Sequence, residues 1–455
     1  MALVSGTYRT SIPTMASRRL RRLSNTLQSL VDARTGIIQY VGEQPRRPEF
    51  PDIFQYAAQT CETKAFLPHS AFGRTGGCAL SRPVALAKAV GEAVERYSAA
   101  IYDDALLPLC SYRDAFFDCV PPQEWALNSP AQYVEPGFQW VPFTEDTPVR
   151  WVVARDLADG KSVSVPAAMV YVPFFFDPGS GEPAICQPIS TGLACHCSFA
   201  EAVVGGLCEV VERDAFMITW QARLARRRID PATLSPANAE LVARLSTTGT
   251  AINLFDLTMD NGIPAVMVVQ THKSPEMPGI AFACSAALDA EEAVCKALEE
   301  ATHTARWMFY IKQRQGRLDP GENFSNVDEQ ERHLQFWASH DNRRLADFIF
   351  ANSEVVSFNE LPNLGTGDPK RDYDLLIDRV QTTGHRVLAV DITPPDVADT
   401  GLYVVRVLVP GYHPLIMGYR IRATGGRRLW AIPQKIGFPR LNPAVGDNPL
   451  PHPFP

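Results

Sequence analysis

Among its 455 residues the chain has no GxxxxGK[ST] loop, no GxGxxG and no GxSxG. The first absence removes the usual backbone cradle for nucleotide phosphates, the second speaks against a dinucleotide enzyme, and the third removes the serine elbow of many hydrolases. No stretch approaches the ~18 to 20 apolar residues a membrane span requires, and MALVSGTYRTSIPTMASRR at the N-terminus lacks an apolar signal core. A cytoplasmic protein without a membrane partner is expected. Ten cysteines are too sparse for a disulfide scaffold, and no CxxC pair is present for a structural zinc or a redox couple. Cys195-His196-Cys197 gathers metal-ligand types, but adjacent side chains rarely turn toward one ion and no second ligand pair follows at finger spacing. A basic excess is also lacking. A formal net charge of -7 argues against a general grip on nucleic acid, and the compact run RRLRR at 18–22 reads as the solvated face of a helix.

What is present is an ordinary globular mixture, 46% hydrophobic and 20% charged, so a sizeable core can form. Residues 1–60 read as an N-terminal helical arm, with a helix from Ser17 to Val31, a strand from Gly36 to Gly42 and the loop GEQPRRPEFPD. Residues 61–455 read as one catalytic unit closing in a proline-rich tail at 441–455. Apolar β-branched stretches at Trp151 to Ala154, Ser164 to Val172 and Ala265 to Gln270 alternate with Ala-rich helical ones. A polar helical region from Val327 to Arg379 precedes strands at Arg386 to Asp391 and Tyr403 to Pro410. The pattern predicts an α/β chain of mixed α+β type, with mixed sheets flanked by helices.

The most informative feature is an internal echo. SRPVALAKAVGEAVER (81–96) and SFAEAVVGGLCEVVER (198–213) both place Glu at +11 and +14 from the opening Ser and Arg at +15. Ser81 and Ser198 are suited to cap helices, and helical spacing sets Glu92 with Glu95, and Glu209 with Glu212, on one face. Arg96 and Arg213 fall one turn beyond the first Glu of each pair. Paired carboxylates cost a few tenths of a kcal/mol at a surface but about several kcal/mol when buried, so a buried cluster calls for a cation. A degenerate third copy, LDAEEAVCKALEEATHTAR, sets Glu292 where Glu201 stands and Glu300 where Glu209 stands, with His303 replacing the second Glu. Carboxylate oxygens without a His or Cys cage suit Mg²⁺ and hence nucleotide phosphates, whose charge Lys88, Arg96, Arg213 and Arg306 could balance. Glycines 73, 76 and 77 could let backbone amides approach a phosphate, although a plain turn is the commoner role.

These residues resemble the YcaO family. The likeness runs through GGCALSRPVALAKAVGEAVERYS, STGLACHCSFAEAVVGGLCEVVERDAFMITW, FDLTMDNGIPAVMVV, the Glu300 to Trp307 helix and the final PHPFP. It implies a YcaO-type fold whose ATP site lies between Glu-rich helices, with Mg²⁺ on Glu92, Glu95, Glu209 and Glu212. It also implies nucleotide contacts at these residues and at Glu201 and Arg213, with Arg9 a candidate for the N-terminal basic residue of some members; Arg96 and Arg306 are nucleotide candidates from the charge balance above. The sequence departs from the family where Gly77-Cys78-Ala79 replaces Gly-Lys-Gly and where Ala194 and Cys197 replace Ser and Asn, which puts contacts at 78, 194 and 197 in doubt. Pro451, Pro453 and Pro455 resemble the PxPxP end of the azoline-forming branch; the Pro455 carboxylate is a candidate base, and His452 is either a second candidate base or a spacer between prolines.

The activity implied is an ATP-dependent cyclodehydratase: Cys, Ser or Thr of a ribosomal precursor peptide attacks the preceding carbonyl, and phosphorylation of the amide oxygen lets thiazoline or oxazoline form. The alternatives are a thioamide- or amidine-forming YcaO enzyme and a noncatalytic peptide-binding homologue. With no room ahead of residue 60 for a peptide clamp, a separate ThiF-like or ocin-type leader-binding partner is expected. An FMN-dependent azoline dehydrogenase and a homodimer complete the expectations.

Overall fold

The computed structural model describes residues 18–246 and 249–455. Its strands in chain order are β1 (Ile38–Glu43), β2 (Phe54–Thr60), β3 (Arg74–Ala79), β4 (Leu109–Cys110), β5 (Val149–Asp156), β6 (Ser162–Pro166) and β7 (Leu193–His196). They continue with β8 (Arg228–Ile229), β9 (Thr250–Asp256), β10 (Ala265–His272), β11 (Ile280–Ala286), β12 (Val355–Val356), β13 (Leu388–Asp391) and β14 (Tyr403–Leu408). The N-terminal helix is α1 (Arg18–Leu30), and four further helices organise the site: α2 (Arg82–Ala99), α3 (Phe199–Gln221), α4 (Ala290–Gln315) and α5 (Gln330–Ala338).

Three sheets result. β1-β2-β3 is antiparallel, β11-β10-β9-β8-β12 ends in a parallel β8/β12 pair, and β4-β5-β13-β14-β7 carries β6 against β5. The mixed α+β expectation is borne out. The two strands inside residues 1–60 are hydrogen-bonded into the sheet that holds β3, which leads directly to α2. β6 stops at Pro166 and gives way to a 3-10 turn at Ala167–Met169, short of the strand expected through Val172. Proline cannot donate to the ladder, which suits a strand end. Region 327–379 is less uniformly helical than its composition predicts, since the short strand β12 interrupts it to pair with β8.

α2 lies on β2, β3 and β7, α3 on β7, β11 and β14, and α4 on β10, β11 and β3. The α3 core joins Val210, Phe216 and Trp220 to Phe282, Val405, Val407 and Phe454, whereas the α2 core joins Val90 and Val94 to Leu193, Val404 and Leu408. Strand β14 is therefore shared, one face to each helix. No helix among the described residues is long and apolar enough to cross a membrane.

Candidate functional site

Both copies of the echoed motif anchor their first glutamate in the same way. Glu92 Oε2 accepts from the Gly76 amide at 3.0 Å, and Glu209 Oε2 accepts from the Gly192 amide at 3.1 Å. Arg96 Nη2 donates to Glu92 at 3.4 Å, and Arg213 Nη2 donates to Glu209 at 3.3 Å, one helical turn on. The two glycines have different reasons. A Cβ on Gly76 would fall 2.5 Å from the movable His303 ring, but one on Gly192, at φ +88°, would fall 2.2 Å from the Val407 carbonyl oxygen.

The second glutamates draw the copies together. Glu95 Oε1 accepts from the Cys195 amide at 2.8 Å, so α2 is tied to the strand that precedes α3. Burial, reinforced by the charge of Glu92, pushes the Glu95 carboxyl up to about 8 despite the Cys195 amide. Burial likewise pushes Glu212 up to about 8, with Glu209 and Glu300 adding to it and Arg213 and Lys296 opposing. Five carboxylates from α2, α3 and α4 thus sit within reach of one another's fields, and ionising them together requires added positive charge.

Glu201 accepts from Ser198 Oγ at 2.7 Å and lies 2.9 Å from His196 Nδ1. Ser198 also caps α3 through the Glu201 amide, but Ser81, expected to cap α2, makes no such side-chain bond; Pro83 occupies the first turn there. Lys88 is bound by Glu299 at 2.8 Å, and Glu300 adds to the field that raises its pKa against burial. Glu292, expected to parallel Glu201, is exposed and paired with Lys296.

No group of three His, Cys, Asp or Glu side chains among the described residues is disposed to hold a metal ion by itself. Mg²⁺ takes one or two carboxylates and fills its octahedron with water and phosphate oxygens. An all-oxygen donor set with surplus negative charge fits Mg²⁺ bound together with a nucleotide.

The remaining candidates fall in two places. Arg306 is buried, donates to the Pro45 carbonyl at 2.7 Å and stacks over Phe50, so the loop after β1 claims part of its guanidinium. The tail runs to α3. Trp337 donates to the Pro451 oxygen at 3.1 Å, Pro453 is buried, Phe454 packs on Phe216, and Arg213 lies 4.2 Å over the Phe454 ring with Nη1 3.4 Å from the Pro455 oxygen. His452, expected as a base, is instead an anchor. Its ring is buried, stacked 4.2 Å from His333, and donates through Nε2 to the Ile416 carbonyl at 2.9 Å. Burial holds its pKa well below the usual imidazole range. Arg9 lies outside the described residues. The sequence reading missed His333, the partner of His452, and Arg406, a lone arginine in the apolar run of β14; a charged residue inside YVVRVLV was the available signal.

Residues 76–413 match the family described as YcaO cyclodehydratase, ATP- and Mg²⁺-binding. The chain belongs to the YcaO family. An uncharacterised protein of Methanothermobacter thermautotrophicus is 26% identical over 380 residues, covering 82% of this chain and 90% of its own. Among solved structures, a heterocyclase in complex with substrate and cofactor superposes with a TM-score of 0.77 at 21% identity, over 95% of this chain and 57% of that one. The YcaO protein of Methanopyrus kandleri, bound with AMPPCP and Mg²⁺, gives 0.62 at 20% identity over 90% of this chain and 92% of its own. This chain therefore spans little more than half of that heterocyclase chain but nearly all of the archaeal YcaO protein. ATP and Mg²⁺ are the cofactors of the family, and the structural likeness extends to the fold as a whole.

Proposed function

We propose that this YcaO enzyme is an ATP-dependent cyclodehydratase that converts Cys, Ser or Thr of a ribosomal precursor peptide into thiazoline or oxazoline. The observation that carries the reading is the meeting of the PxPxP segment with the second glutamate pair: Arg213 holds Glu209 on one side and the Phe454 ring and Pro455 oxygen on the other.

When bound with Mg²⁺, ATP supplies the phosphoryl group that turns an amide oxygen into a leaving group. The chain's part is positioning. Glu92, Glu95, Glu209 and Glu212 are the candidate metal ligands, one or two of them to each Mg²⁺, with Gly76, Cys195 and Gly192 amides fixing three of the four carboxylates. Arg96 and Arg213 keep the first glutamates aimed, and Ser198 with His196 does the same for Glu201. The alternating prolines stiffen the tail and remove most of its donors; Trp337 and His333 bind the Pro451 and His452 oxygens, so that the Pro455 oxygen is the one presented to Arg213. Recognition of the precursor's leader is assigned to a separate ThiF-like or ocin-type protein.

The test is phosphate release with ATP and Mg²⁺, together with mass spectrometry of a candidate precursor and its leader-binding partner. The expected result is loss of one water per ring, dependent on ATP and abolished in Glu209→Gln. ATP turnover that exchanges oxygen for sulfur would replace this reading with the thioamide one, and loss of water that consumes an amine rather than a Cys, Ser or Thr side chain would replace it with the amidine one.

A further inference from the structure

Arg406 lies in the middle of β14, flanked by Val404, Val405, Val407 and Leu408. It is 4% exposed, and its Nε and Nη1 are buried without a hydrogen-bond partner. Strand alternation places its side chain with Val404 and Leu408 on the α2 face, opposite its cross-strand neighbour Leu193 on β7. Leu193 follows Gly192, whose amide holds Glu209. Burial draws the guanidinium pKa down to about 10, Glu209 pulling it up and Arg96 pressing it down, so it stays charged at neutral pH.

A buried arginine that serves only the fold is normally saturated by carboxylates or carbonyls, because an unpaired interior charge is costly. The other cations near the motif helices are engaged. Arg96 is taken by Glu92, Arg213 by Glu209, Glu212 and the tail, and Lys88 by Glu299. Arg406 combines full charge, free donors and proximity to Glu209 and Arg96, which is the disposition of a residue awaiting an anion. Planar guanidinium geometry matches phosphoryl oxygens better than a single point charge would.

We infer that Arg406 is a ligand for a phosphoryl oxyanion at the glutamate recess, an inference that rests on the nucleotide reading of that site. The anion is a phosphate of the bound nucleotide or the free phosphate left after transfer. Either brings the negative charge that the free donors lack.

The experiment uses the full chain as wild type, Arg406→Met and Arg406→Lys. Melting temperatures are taken without ligand, and affinities are measured by calorimetry for the β,γ-methylene analogue of ATP with Mg²⁺, for ADP with Mg²⁺ and for inorganic phosphate. Removing an unpaired buried charge should leave the ligand-free Arg406→Met protein as stable as wild type or more so. Affinity of that variant for at least one phosphate ligand should fall roughly tenfold to a hundredfold, the size of a charge-assisted hydrogen bond, and Arg406→Lys should fall less. Loss confined to the ATP analogue identifies the terminal phosphate, equal loss for ADP identifies an inner one, and loss confined to inorganic phosphate identifies the released product. Unchanged affinity for all three overturns the inference. So does an Arg406→Met chain that melts several degrees lower or does not fold, since the guanidinium would then be serving the fold. If wild type itself binds none of the three, the nucleotide reading fails first, and that outcome is visible without any variant.

Discussion

The first and second copies of the Glu-x-x-Glu-Arg helix share one plan and differ in what closes over it. In each, a glycine amide from the preceding strand region and an arginine one turn away hold the first glutamate, while the second sits deeper with a raised pKa. The first copy is left open. Ser81 makes no cap, no Glu201 equivalent follows it, and Arg96 serves Glu92. The second is closed by Ser198, Glu201 and His196 at one end and by the tail on Arg213 at the other. Duplicated helix geometry supplies two matched pairs of carboxylates. The added tail makes one side different.

The largest effect should come from the shared part. Glu92→Gln and Glu209→Gln are each expected to lower phosphate release by roughly a hundredfold, because each removes one charge from a preorganised electrostatic site. A loss in one copy alone would break the equivalence. Next is the pair of glycines. Gly192→Ala drives a methyl into the Val407 carbonyl and imposes an unfavourable φ, for an expected cost above about 2 kcal/mol in chemical denaturation. Gly76→Ala meets only the His303 ring, which can swing, and should cost about 1 kcal/mol or less. Equal costs would show that the two anchors are not built as described. Third, Phe454→Ala should detach the tail from Arg213 and lower ring formation about tenfold, while affinity for the ATP analogue changes less than about threefold. A matching loss of nucleotide affinity would mean that the tail serves both copies.

Much of this arrangement was legible because it is local. Glu92, Glu95 and Arg96 share a helix whose period fixes their relation, and the same holds for Glu209, Glu212 and Arg213. Their convergence was signalled by repetition rather than by any one residue. What depended on strand pairing was not visible. Arg406 reaches the site because β14 pairs with β7 in a register that aligns it with Leu193, and nothing near either residue encodes that register. His452 illustrates a second limit: a chain names an imidazole but not its surroundings, and burial under His333 with a bond to Ile416 converts a candidate base into an anchor. Ser81 and Ser198 look alike as caps, yet only the second has a glutamate three residues on to complete the contact.

The smallest expected effect separates the copies by pH. His333 accepts the Gly418 amide through Nε2 and donates through Nδ1 to the His452 oxygen, so both its nitrogens are committed in the neutral form. Burial holds its pKa down at about 4. The folded value lies below the unfolded one of about 6.5, so the stabilisation is complete above pH 6.5 and is lost as pH falls from there toward 4. From pH 7 to pH 6 the cost from His333 alone is about 0.7 kcal/mol, near a threefold change in opening. His452, lowered for the same reason, acts in the same direction. Because this pair anchors the tail, hydrogen exchange at the Leu450, His452 and Phe454 amides, corrected for its intrinsic pH dependence, should quicken while the α2 amides do not. Exchange that quickens equally in both places, or in neither, would mean that the imidazole stack does not hold the second copy's cover in place.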